Sequence, residues 1–518
     1  MGDHDMKNSL GRELPDFIEN YGDVTPYAGP ITAKSSVMTA PKRYRPYVPG
    51  TDKVLKSIEE AVERSGVRSG MTISFHHHFR NGDTVVNLVM EAIAKKGIKD
   101  IHLAASGLFP VHAPLVRMME EGIITKITTS TFNPGEVAKA VSKGKLRDVA
   151  VMMSHGGRAR AIECGDLHID VAFIAASSSD AWGNLNGSHG KCPCGLLSYA
   201  YADAQFADTV VAITDTLVPY PNCPIAISQH YVDWVVVVDS SGDSSGIESG
   251  TTKITTDPVR LQIANSAADL IEVTGYLKQG FSFQTGASGV SLAVAANVRE
   301  RMKKYNLTGS FGLGGIHAYF VQMLEEGLFQ GLLDVQCFDL AAVESIAKNP
   351  GHQIISGSHY ANPHNASSVV NALDVVILGA TEIDTQFNVN VNTSTEGIIL
   401  GASGGHNDCA AGSKLTIIVT PLTRKTFCMV RDSVTTVTTP GETIDALVTD
   451  HGIAINPLRK DLLEAVKGTD LRVLSIQELK EIGESIVGPQ TQTRSSGKIV
   501  GVVEYRDGTV IDVVRCVE

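Results

Sequence analysis

Residues 170–186, DVAFIAASSSDAWGNLN, and residues 374–390, DVVILGATEIDTQFNVN, align without a gap at a constant offset of 204 residues. Asp170/Asp374, Val171/Val375, Ala176/Ala380, Asp180/Asp384, Asn184/Asn388 and Asn186/Asn390 are identical in the pair, and the positions between Val171 and Ala176 are small or apolar in both. This is the pattern of a buried strand running into a polar, Asn-bearing loop, present twice. Two copies so far apart mean a duplicated domain and not a solenoid. Two like domains facing each other create a cleft, where small-molecule sites concentrate.

The flanking segments set the class. MTISF, DIHLAAS, ITKITTST, DVAVMMS, DVAFIAAS, TVVAITD and WVVVVDS read as strands at βα spacing, which favours a parallel sheet with helical crossovers. The second half repeats the scheme with FSFQ, GSFGLG, DVQCFD, DVVILG and KLTIIVTP. The fold class expected is α/β, with two similar open, mostly parallel domains. Residues 1–50 are polar and proline-bearing and read as an extended arm that packs on a neighbour. The domains are placed at 51–258 and 259–518, after a connector rich in Gly and Ser that includes Gly242, Ser249 and Gly250. The last strands, KIVGVVEY and VIDVVRCV, read as a hairpin with Asp507-Gly508 in a type I′ turn.

Composition narrows the function. A net charge of −12 without a long basic run disfavours nucleic-acid and anionic-membrane partners, and slightly disfavours an acidic carrier. The start of the chain lacks a signal-peptide core, no run is long and apolar enough to span a bilayer, and the eight cysteines form no CxxC pair. A cytoplasmic protein with reduced thiols and no metal site is expected. No GxGxxG fingerprint or Walker loop is present.

Two glycine-rich loops carry the chemistry. TGASGVS (285–291) lies between a strand and a helix, where backbone N–H groups of Gly286, Ser288 and Gly289 face an anion or oxyanion. GASGGHNDCAAG (401–412) combines Gly404 and Gly405 with a titratable His406 and the carboxylate of Asp408. His76, His77 and Arg80, after the first strand, are candidates for a polyanionic substrate, with Asn184 and Asn388 at the repeated loops. Successive histidines on an extended loop point in different directions, which argues against joint metal chelation.

The repeat together with GASGGHNDCAAG resembles the CoA-transferases. NSLGRELPDFIENYG, VDWVVVVDSSGDSSGIESGTTKITTDP and FNVNVNT, with that loop, resemble the citrate lyase α subunits more narrowly, over essentially the whole chain. The resemblance implies acetyl-for-citryl exchange on a thioester: acetyl-carrier and citrate give citryl-carrier and acetate. It implies β and γ (acyl carrier) partner chains, a CoA-derived prosthetic group on the carrier or acetyl-CoA itself as the thioester, no tightly bound cofactor on this chain, and a homo-oligomer. Acetate- and 4-hydroxybutyrate-type transferases carry a nucleophilic Glu two residues after the position matching His317. Here GGIHAYF places Tyr319 there, and Glu325 and Glu326 lie too far along. A mixed-anhydride route without a covalent enzyme thioester is therefore expected, with His317, Gly404 and Gly405 among the catalytic candidates. The rival readings are a citramalate or acetate CoA-transferase, a sugar-phosphate isomerase-like enzyme, and a non-catalytic scaffold of the lyase complex.

Overall fold

The computed structural model describes residues 5–30, 52–248, 253–286, 288–490, 495 and 497–517. The arm from 31 to 50, the connector residues Ser249 and Gly250, and Ala287 of the first glycine loop lie outside the described residues.

Seven strands of the first half, β1 (Thr72–Phe75), β2 (Ile101–Ala105), β3 (Ile124–Thr129), β4 (Ala150–Met152), β5 (Val171–Ala176), β6 (Thr209–Thr214) and β7 (Trp234–Val237), stand in the spatial order β4-β3-β2-β1-β5-β6-β7. Seven strands of the second half follow the same plan. These are β8 (Ser282–Thr285), β9 (Gly309–Ile316), β10 (Phe329–Cys337), β11 (His352–Ile354), β12 (Val375–Leu378), β13 (Leu415–Val419) and β14 (Ala446–Thr449). Their order is β11-β10-β9-β8-β12-β13-β14, all parallel. β5 and β12, the strands of the repeat, thus hold the same central place. Both are buried along their whole length, which is why they are apolar throughout and do not alternate.

The polar tails of the repeat also match. Each strand leads into a small three-stranded sheet, Leu185–Asn186, Ser178–Asp180 and Leu217–Val218 in one half, Val389–Asn390, Glu382–Asp384 and Val430–Arg431 in the other. Asp180 accepts from the backbone and side-chain N–H of Asn184 at 3.1 and 2.8 Å, and Asp384 does the same for Asn388 at 2.9 and 3.1 Å. The shared Asp and Asn residues therefore close two equivalent turns.

The C-terminal hairpin runs against the sequence reading in both its pairing and its turn. The C-terminal hairpin, β15 (Ile499–Glu504) and β16 (Val510–Arg515), pairs with the first half: β15 lies parallel to β4 and extends that sheet. Its turn is not type I′. Gly508 alone has a positive φ, +86°, and Gly508 N–H donates to Tyr505 O, so a type I turn ends on a left-handed glycine. The described part of the arm packs on its own chain: Tyr27 N–H donates to Val510 O, the Tyr27 ring meets Tyr505 edge-on, and Arg12 reaches Val434 O and Asp512.

Candidate active site

A cavity of about 340 Å³ lies between the two halves, at the carboxyl ends of strands from both sheets. Open parallel sheets place their ligands at these ends. His77 follows β1, Thr131 and Asn133 follow β3, and His155 follows β4. From the other half, Thr285 and Gly286 end β8, Phe338 follows β10, and Leu378 and Gly379 end β12. The 401–408 loop closes one side through Ser403, Gly405 and His406. The two glycine loops, over a hundred residues apart in sequence, thus share one cavity.

The 401–408 loop is fastened to the opposite half. Gly404 N–H donates to Ser130 O at 2.9 Å, and His155 N–H donates to Gly404 O at 2.8 Å. Asp408 accepts from Ser154 Oγ at 2.9 Å and Gly156 N–H at 2.8 Å, so it caps the helix His155–Cys164 from across the interface. Arg506, on the C-terminal hairpin, lies 3.5 Å from Asp408. Burial nevertheless pushes the Asp408 carboxyl up to about 6.

Of the three successive histidines only the middle one lines the cavity. His76 turns to Asp203 at 3.1 Å, which Arg158 holds with two bonds of 2.8 and 2.7 Å. His78 donates to Ala175 O at 3.1 Å. His77 stacks on Tyr199 at 4.6 Å and on His155 at 5.7 Å. Arg80 completes this wall, with its guanidinium over the Phe338 ring at 4.7 Å. Among the described residues no carboxylate pairs with Arg80, and its Nη1 meets no acceptor. The lining includes no Asp or Glu. In a chain of net charge −12 the cavity is locally cationic and fits an anion.

Two serines fix the imidazole tautomers. Ser130 Oγ–H donates to Ser106 O at 2.8 Å, so at His155, 2.9 Å away, Ser130 Oγ must accept from Nδ1–H, and Nε2 bears a lone pair. Ser106 Oγ accepts His77 N–H and stands 2.7 Å from His77 Nδ1; donating its own hydrogen there satisfies both groups and leaves Nε2–H on His77. His406 spends both ring nitrogens on the protein: Nε2–H donates to Gly379 O and Nδ1 accepts from Thr439. Burial, with His155, His78 and Arg80 adding to it, holds His77 well below the ordinary imidazole range. Burial likewise takes His155 and His78 to about 3, and His317 and His406 to about 4.

These neutral imidazoles give a stability prediction. Unfolded, each regains an ordinary value near 6.5. Their contribution is complete above that pH and is lost as pH falls toward 3–4. Asp408 and Glu504, raised by burial to about 6 and 7, run oppositely: their contribution is present below about pH 4 and lost as pH rises through those values. Five imidazoles against two carboxyls leave a net uptake of about three protons on unfolding at pH 5, or about 4 kcal/mol per pH unit. Urea unfolding between pH 6.5 and 4.5 should show stability falling with acid at this slope; a flat profile would mean that the imidazoles ionise in the folded chain.

Most of the remaining expected site residues lie behind the lining. His317 is buried, with Nε2 3.5 Å from the lining residue Thr285. Ser288 caps the helix Gly289–Tyr305, and Gly289 packs on Lys253 and Thr255. Gly286 lines the cavity, but its N–H is taken by Ile377 O. Asn184 and Asn388, held in their turns, are not among the lining residues. Tyr319 lies under the Arg299 guanidinium, outside the lining. The sequence reading missed His155, Tyr199, Gln284 and Tyr360. For His155 a signal existed: SHGGR, a strand-to-helix turn with His beside two glycines, mirrors GGH at 404–406.

Two matching open sheets whose strand ends meet over one cationic, acid-free cavity are an arrangement of the CoA-transferase type. The family model described as citrate lyase, alpha subunit (CitF), matches residues 51–517. The chain belongs to the citrate lyase α-subunit family, the citrate CoA-transferase component of citrate lyase. It is 48% identical over 462 residues to the citrate lyase alpha chain of Haemophilus influenzae, covering 89% of this chain and 92% of that one. It is 44% identical over 513 residues to that of Klebsiella pneumoniae, covering 99% of each. A crystal structure of the alpha subunit of citrate lyase from Streptococcus mutans, in complex with citrate, superposes with a TM-score of 0.95 at 48% identity, covering 99% of this chain and 100% of the other. The malonate decarboxylase alpha subunit of Acinetobacter baumannii, at 15% identity and a TM-score of 0.64 over 86% of this chain and 87% of that one, shares the fold.

Proposed function

We propose that this cavity exchanges acetyl for citryl on a thioester by way of a mixed anhydride. A citrate carboxylate attacks the acetyl carbonyl and the thiolate leaves; the thiolate then attacks the citryl carbonyl of the anhydride and acetate leaves. One thioester replaces another, so the exchange is nearly thermoneutral. The thioester is that of a CoA-derived group on an acyl carrier chain, which with a lyase chain makes up the complex, in the cytoplasm. The units are taken as 51–258 and 259–518, with the arm 1–50 outside both and the hairpin crossing back to the first.

The observation that carries this reading is the acid-free lining around an unpaired Arg80. Arg80 and the Nε2–H of His77 hold carboxylates. The Gly405 N–H, which no described acceptor takes, serves the oxyanion, a contribution of about 3 kcal/mol. Gly286, Gly404 and His406 shape the walls. Ser288, Gly289, His317, His76 and Asp408 position them, and Asn184 and Asn388 hold turns. Alignment of two substrates supplies up to about 7–11 kcal/mol. No Glu stands where a covalent thioester would form.

The test is mass detection of citryl-carrier after mixing acetyl-carrier, citrate and this chain. The carrier should gain the citryl mass, hydroxylamine or borohydride after acyl-donor incubation should spare activity, and kinetics should show a ternary complex. A Glu thioester recovered from the protein, or no citryl-carrier at all, would overturn the reading.

A further inference from the structure

We propose that His155 reads the hydroxyl of the substrate, so that the cavity selects a hydroxylated polycarboxylate over the same polycarboxylate without its hydroxyl. This rests on the reading that citrate occupies the cavity. The argument is an inventory of donors and acceptors. At neutral pH citrate offers carboxylates, which only accept, and one hydroxyl, its single donor. Arg80, His77 Nε2–H and Gly405 N–H are all donors, the first two serving the carboxylates and the third the oxyanion.

His155 is the exception: the lining hydroxyls of Thr131, Tyr199, Thr285 and Ser403 and the Asn133 amide can each turn a hydrogen toward a carboxylate, whereas the free nitrogen of His155 cannot. Its Nδ1–H is spent on Ser130, whose own hydrogen goes to Ser106 O, so the remaining ring nitrogen can only accept. A lone pair set among carboxylates would repel them; against the hydroxyl it completes a hydrogen bond. The ring cannot turn to exchange its nitrogens. It packs in a triangle with Tyr199 at 4.6 Å and His77 at 5.7 Å, is tied by Nδ1 to Ser130, and stands at the start of a helix that Ser154 and Asp408 cap. Another unpartnered acceptor, Gln336 Oε1, is fully enclosed, with its amide nitrogen donating to Cys337 O at 3.0 Å. The loop of the other half closes over the imidazole: a Cβ built on Gly404 would stand 3.7 Å from His155 Nε2.

The experiment is calorimetric titration of the purified chain with citrate and with propane-1,2,3-tricarboxylate, which lacks only the hydroxyl. The wild-type chain should bind citrate about 10- to 100-fold more tightly, since the analogue leaves Nε2 unpaired. His155→Asn keeps an N–H for Ser130 and loses the distal nitrogen. It should weaken citrate until the two ligands bind within about threefold, with the analogue's affinity unchanged. Ser130→Ala, outside the lining, releases the tautomer and should narrow the ratio in the same direction, which keeps the test available if the first variant does not fold. Equal binding of both ligands by the wild type, or a wild-type ratio in both variants, would overturn the assignment while leaving citrate in the cavity. Failure of the wild type to bind either ligand would overturn the citrate reading itself, and this one with it.

Discussion

Arg80→Ala should lower kcat/KM for citrate by roughly 30- to 5,000-fold, and Arg80→Gly should do the same without loss of stability. Truncating one partner of a buried, hydrogen-bonded charge pair costs about 2–5 kcal/mol, which sets the range. The loss should fall mainly on KM, because the carboxylate is held before and during reaction. Stability separates the two variants. Arg80 has φ +53°, a left-handed conformation that costs a residue with a Cβ about 1–2 kcal/mol. Glycine adopts it freely, against an unfolded-state entropy cost of about 0.5–1 kcal/mol. Burial also destabilises the guanidinium, drawing it down to about 10. The protein therefore bears strain and an unpaired cation at the place where the proposed carboxylate would be held. Steady-state kinetics and urea titration of both variants check this. A wild-type KM in Arg80→Ala would remove Arg80 as the carboxylate anchor.

Gly405→Ala should cost about a hundredfold in rate, and Tyr360→Phe should restore part of it. The backbone at Gly405 has φ −94°, which alanine tolerates, so the penalty is steric alone. A Cβ there would stand 2.5 Å from Tyr360 Oη. That hydroxyl cannot yield easily. Cys409 Sγ–H donates to Gln284 Oε1, Gln284 Nε2–H donates to Tyr360 Oη at 3.1 Å, and the Tyr360 hydroxyl donates to Cys409 Sγ at 2.9 Å, a closed buried ring. The loop must give way instead, by a fraction of an ångström to an ångström, and displacement on that scale costs about 10²-fold when it moves an oxyanion donor. Removing the hydroxyl leaves the next tyrosine atom, Cζ, 3.3 Å from the new Cβ, close to ordinary contact. A double variant no faster than Gly405→Ala would show that the loop's position does not govern the rate.

The duplication, the parallel strands and the glycine loops that follow them were legible in the chain, because each is written in local terms. Identical residues at one offset, uninterrupted apolar runs and glycines after strands need no knowledge of partners. DVAFIAA and DVVILGA announced two buried central strands, and they hold equivalent places in the two sheets. What the sequence could not say is which polar side chain of a cluster keeps a free hydrogen-bonding atom. His76, His77 and His78 are alike as letters. Asp203 and Ala175, about a hundred residues or more downstream, claim the outer two and leave His77 to the cavity. Asn184 and Asn388 looked like ligands because they recur, and they recur because two equal turns need closing. His155 and Tyr360 enter the site only once the sheets face each other, and the last strands join the first sheet through pairing across about 350 residues, as between Val502 and Val151. The sequence by itself determined the elements and their doubling, since periodicity and backbone freedom act over a few residues. The tertiary structure alone decided the site, since the fate of a buried polar group depends on the partner that satisfies it, and those partners are distant in the chain.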